Sequence, residues 1–287
     1  MSRPPCSRLF VSDLDGTLLG PDARISDFAR SELTQLLGAG LPFTVASARS
    51  VISMQLILGD LPLSLPVIEF NGAFISDLKT GAHRACYPLA PEIVSEVVAH
   101  AEREGIPPFI SSFDGRRDRL YYACVRNAGM GWYVENRRTA GDPRLTRVPD
   151  LTPHLKEQVV CLTLIAEQDR LASFSDWVRS TYDGRVQVLL MENAYSRGWH
   201  WLTIHDAKAT KANALKTVAA DCGVALDDVT VFGDHVNDIP MFAVAGHAVA
   251  VANAEDEAKR RAHEIIGSNE SDSVVKYLRS AWLASKG

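Results

Sequence analysis

The sequence predicts an α/β fold: a doubly wound (Rossmann-like) parallel sheet interrupted by an inserted α+β unit. Three observations carry this expectation. Short apolar runs alternate with amphipathic helical patterns from the start of the chain, as parallel strands joined by crossover helices do. Residues 84 to about 198 break that rhythm with strand patterns set close together, and the first rhythm then resumes. Three apolar runs end in polar residues, namely Asp13 with Asp15, Ser47, and Asp234. In open α/β sheets, ligands bind outside the carboxyl ends of the strands, so these distant positions converge.

Each element has a local reason. Leu9, Phe10 and Val11 form an apolar run of the kind found in buried parallel strands. Ser26 can cap a helix whose apolar face is Ala29, Leu33, Leu36 and Leu37, with Gly38 and Gly40 at its end. Leu41–Ala46 reads as a second strand closing in Ser47-Ala48-Arg49, and Pro66–Phe70 as a third, followed by the turn dipeptide Asn71-Gly72. In the inserted stretch Pro91 opens a helix with Ile93, Val94, Val97, Val98 and Ala101 inward and Gly105 at its end. Strands are expected near Phe109–Ser112, Leu120–Val125, Val159–Ile165 and Val186–Leu190, with a helix near Asp169–Thr181. A strand Trp201–His205 should then lead, in the resumed core, to a helix capped by Thr210. That helix carries Leu215, Val218, Ala219 and Cys222 on one face and stops at Gly223. Val229–Phe232 is a further buried strand, ending in Gly233-Asp234. The expected division is therefore a core of residues 1–83 and 199–287 and an inserted unit of residues 84–198, with hinges near Thr80–His83 and Tyr195–Gly198.

Composition bounds the function. A length of 287 residues suffices for two domains, and a hydrophobic fraction of 46% with 23% charged residues fits a soluble globular protein. The net charge of −5 argues against general nucleic-acid or anionic-membrane binding, and no protein partner is evident. Cys6, Cys86, Cys124, Cys161 and Cys222 are odd in number and form no Cys-x-x-Cys pair, which favours reduced thiols. The opening MSRPPCSRLF has no apolar stretch of signal-peptide length, and no run is long enough to span a bilayer. The expected setting is cytoplasmic.

Asp13 and Asp15 are two residues apart at a strand end, so their side chains point the same way. A like-charge pair at ~4 Å costs roughly 4 kcal/mol at an effective dielectric of ~20. Such a pair is kept where a cation or a reaction needs it. With Ser47, Lys211 and the Asn237-Asp238 step of GDHVND, the crevice would hold at least three carboxylates, a hydroxyl and an ammonium. Oxygen ligands of this kind select a hard cation such as Mg²⁺ over zinc or copper. His200, His205 and Asp206 suggest a metal cluster only weakly, since no third ligand is evident.

DLDGTLL, then SAR after the second strand, then Lys211 in KATKANAL, then GDHVND resemble the four ordered motifs of the haloacid dehalogenase-like phosphohydrolases. The insertion between the second and third motifs, with EFNGA (69–73) and SNESDSVVKYL (268–278), is similar to the Cof-type sugar-phosphatase branch with a large α/β cap. The resemblance implies an α+β cap that selects the substrate. It implies Asp13 as nucleophile forming an aspartyl-phosphate, and Asp15 as the acid that protonates the leaving alkoxide and then activates water. Mg²⁺ would be held by Asp13, the Asp15 backbone carbonyl and Asp234, with Asp238 acting through water. Ser47 and the amides around it, at Ala48 and Arg49, would hold phosphoryl oxygens, Asn71 and Asn237 would border the substrate, and Lys211 would offset charge. An acid at position 15 points to monoester hydrolysis of a small phosphorylated metabolite, first of all a sugar phosphate. A phosphomutase using the same intermediate and a non-catalytic phospho-ligand sensor are the alternatives.

Departures from the pattern are His235 where Gly is usual, Ala212 where Gly is common, and Ala48 before Arg49. His235 reads as an outward-facing residue. The arginines at 116, 117, 119, 126, 137, 138, 144 and 147 read as a solvated surface around an aromatic interior rather than as an anion-recruiting face.

Overall fold

The structure, a computed structural model, describes residues 8–193 and 196–284; Cys6 and Tyr195 lie outside them. The chain divides into two compact units, Met1–Ala85 with Thr210–Gly287, and Cys86–Ala209. Among the described residues no helix is long and apolar enough to cross a membrane.

The first unit begins with β1 (Leu9–Ser12), α1 (Asp27–Gly38), β2 (Phe43–Val45), α2 (Val51–Leu58), β3 (Val67–Glu69), β4 (Phe74–Ser76) and β5 (His83–Cys86). The second contains α3 (Pro91–Arg103), β6 (Phe109–Phe113), β7 (Asp118–Tyr122), α4 (Ala128–Thr139), β8 (Leu145–Arg147), β9 (Gln158–Ala166), α5 (Gln168–Thr181), β10 (Val186–Glu192) and β11 (His200–Asp206). The first unit is completed by α6 (Lys211–Cys222), β12 (Val229–Gly233), α7 (Ile239–Phe242), β13 (His247–Ala250), α8 (Asp256–Arg261), β14 (Glu264–Ile265) and α9 (Ser273–Ala284).

The first unit's main sheet is parallel, in the order β14-β13-β12-β1-β2. Its central register pairs Leu9 with Val229 and Val11 with Val231, so the two halves of the sequence meet in the middle of one sheet. β1 has an early strand on one side and a late one on the other, which makes it the topological switch point where a crevice opens. A parallel bridge from Ala46 to Ile68 brings in β3, which heads a three-stranded sheet in the order β3-β4-β5. The caps follow the sequence: Ser26 accepts from the Ala29 amide, Thr210 accepts from the Asn213 amide, and Gly223 closes α6 with φ +68°. Those side chains satisfy amides that the first helical turn cannot.

The second unit is a six-stranded sheet, β10-β11-β9-β6-β7-β8, antiparallel except for the β7–β8 pair. Here the structure corrects the sequence reading. The strand expected to lead into α6 within the core is β11, paired with β9 and β10, so residues 199–209 belong to the inserted unit. Leu202 and Ile204 are buried in that unit's own core. Of the stretch read as a second hinge, residues 196–198 lie between the paired strands β10 and β11, where the Asn193 amide donates to the Trp199 carbonyl. An apolar alternation reveals a strand but not the sheet that receives it. α4 was not expected, because Gly129, Gly131 and its aromatic residues are poor helix formers. Gly129 is needed for packing: a Cβ there would sit 2.6 Å from the Trp199 ring.

Most of the arginines in this unit find local partners. Arg144 is buried and donates to Asp142, Arg119 pairs with Asp114, Arg138 pairs with Glu135, and the Arg137 guanidinium lies 3.2 Å over the Tyr133 ring. His205 is buried, with Nδ1 2.9 Å from the Val160 carbonyl, and burial lowers its pKa to about 4.

Candidate active site

The site is built on strand ends of the first unit. β1 delivers Asp13, whose amide donates to the Phe232 carbonyl and so ties the end of β1 to β12. The chain then makes a tight helical turn over Leu14–Leu18, in which Gly16 takes φ +76°. Glycine is required there twice over. The left-handed backbone disfavours a side chain, and a Cβ would lie 2.3 Å from Asp234 Oδ2. Thr17, the next residue, donates to Asp234 Oδ1 at 2.8 Å. Asp234 itself ends β12, and Asp238 follows one turn later.

Asp13, Asp234 and Asp238 each offer a carboxylate oxygen, and these atoms lie within 4.8 Å of one another. Lys211, the first residue of α6, is fully buried and bridges two of them: Nζ donates to Asp13 Oδ1 at 2.5 Å and to Asp238 Oδ1 at 2.7 Å. Asp238 Oδ2 accepts from the amides of Asp234 and His235, so Asp238 anchors both the ammonium and the loop that carries Asp234. Three carboxylates share one ammonium. Burial raises the Asp13 pKa well above the carboxylate range, Lys211 pulls it down in part, and Asp238 and Asp234 push it up again. Burial and the Asp238 charge raise Asp234 to about 6 against the pull of the Thr17 hydroxyl. Burial works against the Lys211 ammonium, but Asp13 and Asp238 outweigh it and hold the proton on.

Asp15 sits in a different environment. Arg49 grips it bidentately, Nε to Oδ2 at 2.7 Å and Nη2 to Oδ1 at 2.6 Å. Arg49 stands in the loop between β2 and α2, where Ser47 is buried and its Oγ accepts from the Arg49 amide, while Ala48 is exposed. Asn71 and Asn237 meet each other, Nδ2 of Asn237 donating to Oδ1 of Asn71 at 3.2 Å, and the Asn237 Oδ1 is buried without a partner. Phe70 and Asn71 are both left-handed, at φ +48° and +56°, and the Asn71 amide donates to the Ser47 carbonyl. The β3–β4 turn is thereby tied to the Ser47 loop.

His235 is not an outward residue. It is half-buried, and its Nε2 lies 3.0 Å from Glu255 Oε1. Sequence reasoning also missed Thr17 and Asn253, whose Nδ2 donates to the Gly16 carbonyl at 2.7 Å. Thr17 lies within DLDGTLL and could have been marked from it, whereas nothing local singles out Asn253.

Buried carboxylates grouped at the switch point of a parallel sheet, with one ammonium among them, form an α/β site whose acids could hold a metal ion. Residues 10–278 match the family of haloacid dehalogenase-like hydrolases, and the chain belongs to that family. It is similar to a 5-amino-6-(5-phospho-D-ribitylamino)uracil phosphatase of Bacillus subtilis, 25% identical over 94% of this chain and 96% of the relative. It is likewise similar to a pyridoxal phosphate phosphatase of Escherichia coli, 25% identical over 96% and 98%. Among solved structures, a haloacid dehalogenase-like hydrolase from Bacteroides thetaiotaomicron superposes with a TM-score of 0.81 at 20% identity, covering 96% of this chain and 100% of that one.

Proposed function

We propose that the protein is a phosphoric monoester hydrolase that cleaves a small phosphorylated metabolite, a sugar phosphate in the first instance, through an aspartyl-phosphate on Asp13. The observation that carries the reading is the Asp13 carboxylate, in contact with Lys211 and sharing a reach of 4.8 Å with Asp234 and Asp238. The named substrates of the two relatives above are phosphorylated small molecules, one with a phosphorylated ribityl chain, which supports the substrate class.

Asp13 attacks phosphorus and the bond to the leaving alkoxide breaks. Asp15 gives the alkoxide its proton, then takes one from the water that hydrolyses the acyl phosphate. Ser47 and the amides of Ala48 and Arg49 receive phosphoryl oxygens, and Lys211 offsets the negative charge of nucleophile and phosphate. Asn71 and Asn237 border the substrate. The donor set fits Mg²⁺: the ligands are all oxygen, and the two carboxyls raised above their usual range mark a place short of positive charge. Asp13, Asp234 and the Asp15 carbonyl would hold the ion, with Asp238 behind them. When bound, the ion supplies positive charge to the transferring phosphoryl group. The inserted unit would act as the cap that selects the leaving group.

The test is inorganic phosphate release from a panel of phosphorylated sugars, nucleotides and cofactors, with Mg²⁺ or with EDTA. Asp13→Asn and Asp15→Ala should each abolish turnover. Equal release in EDTA, or full activity in either variant, would refute the assignment.

A further inference from the structure

Glu69 is a carboxylate with no solvent exposure at the end of β3, and the reaction above gives it no task. Its Oε2 accepts from the Val51 amide, the first residue of α2, at 2.5 Å. Its Oε1 accepts from the Ser76 hydroxyl and lies 3.4 Å from His83 Nδ1, and that ring nitrogen is 2.7 Å from Ser76 Oγ. His83 is stacked on Phe74, ring centroids 3.9 Å apart. A carboxyl group so buried is costly unless its polar atoms are satisfied, and here an amide at a helix start, a hydroxyl and an imidazole surround it.

Three backbone bonds join the same two segments. The Ser47 amide donates to the Ile68 carbonyl, the Phe70 amide to the Arg49 carbonyl, and the Asn71 amide to the Ser47 carbonyl. Those bonds fix one side of the loop from Ser47 to Ser50. At the far end, where the loop becomes α2, the Glu69 side chain takes the Val51 amide. That end sets the direction of Arg49, which both carries a phosphoryl-binding amide and grips Asp15.

We propose that Glu69 is a positioning residue of the phosphoryl-binding loop, acting through the contact of its Oε2 with Val51, while Ser76 and His83 satisfy the other oxygen, Oε1. The inference rests on the reading of Ser47 and Arg49 as that loop. Its signature is weakened phosphate binding that does not track stability.

The probes are inhibition by inorganic phosphate and hydrolysis of p-nitrophenyl phosphate, with melting temperature measured in parallel. Glu69→Ala should raise the phosphate inhibition constant and lower kcat/KM by about tenfold or more, the scale seen when supporting hydrogen bonds are removed from a site. Glu69→Gln should recover to within about threefold, because its amide oxygen can accept from Val51 while its NH₂ faces Ser76 and His83. Ser76→Ala should lower the melting temperature yet leave phosphate inhibition within about twofold of wild type. Should Glu69→Ala not fold, Glu69→Leu/Ser76→Ala removes the carboxylate together with its hydroxyl partner, and it should show the same tenfold loss. Wild-type inhibition in either carboxylate-free variant, or losses that scale with melting temperature across the set, would overturn the proposal. Ser47→Ala separates the two levels. If it leaves phosphate inhibition untouched the loop reading itself fails, whereas an effect at Ser47 with none at Glu69 refutes only the inference.

Discussion

Asp234→Asn, studied in EDTA, gives a direct measure of the electrostatic cost stored in the site. The Asp234 carboxyl is held at about 6 in the fold against an ordinary 3.8, chiefly by burial and next by the Asp238 charge. A gap of about two pH units corresponds to about 3 kcal/mol. The sign follows from which state holds the proton. Between pH 4 and pH 6 the folded protein keeps it while the unfolded chain releases it. Stability from this group is therefore greatest below pH 4 and is lost as the pH rises through 6. Asparagine cannot titrate, so the variant escapes the loss and also relieves Asp13 of a neighbouring charge. Urea unfolding followed by circular dichroism at pH 4, 5, 6 and 7 should show the variant gaining about 3 kcal/mol relative to wild type across that range. Mg²⁺ at about one hundred times its dissociation constant should return about 2.7 kcal/mol to the wild type at pH 7, and less at pH 5, where protons compete. A flat difference between the two proteins, or one of opposite sign, would refute the reasoning.

Three further outcomes are expected. Lys211→Met leaves the carboxylates of Asp13 and Asp238 buried without their ammonium, so thermal melts at pH 7 should show a loss of about 3–5 kcal/mol along with loss of turnover. Gly16→Ala puts a Cβ against Asp234 on a left-handed backbone; strain of about 1–3 kcal/mol and weaker Mn²⁺ binding by electron paramagnetic resonance are expected. His205 is buried with its pKa lowered to about 4, so its contribution to the second unit is present above pH 6.5. About 3 kcal/mol of it is lost as the pH falls toward 4, and the acid slope seen by tryptophan fluorescence should vanish in His205→Leu.

What the sequence disclosed was what local chemistry decides. Ser26 and Thr210 are caps because a hydroxyl bonds an amide three residues on, and Gly105 and Gly223 end helices because the left-handed conformation is theirs. Asp13, Ser47 and Asp234 could be placed together because a parallel sheet aligns its strand ends. What stayed hidden is set by distant pairing. The alternation of β11 suits either sheet, and only its register against β9 and β10 decides. Asn253 and the grip of Arg49 on Asp15 likewise depend on partners far apart in the chain, with Gly16 and Asp15 lying near its start.

The two aspartates of DLDGTLL are two residues apart, yet the fold gives them opposite surroundings. Asp13 is buried at a strand end facing two other carboxylates and one ammonium, a balance short of positive charge by about two units. Asp15, beyond the strand and half-exposed, is matched one to one by a guanidinium. The tight turn at Gly16 produces this separation, since it folds the chain over Asp234 directly after Asp15. The roles proposed for the two aspartates, nucleophile and acid–base, call for different surroundings around the same residue type. The charge deficit around Asp13 is one that a divalent cation can fill, and the Arg49 grip on Asp15 is one that an arriving phosphoryl group can compete for. On this reading Arg49→Ala should impair the proton-transfer step more than cation binding. Wild-type kcat with weakened Mn²⁺ binding in that variant would contradict the division of roles.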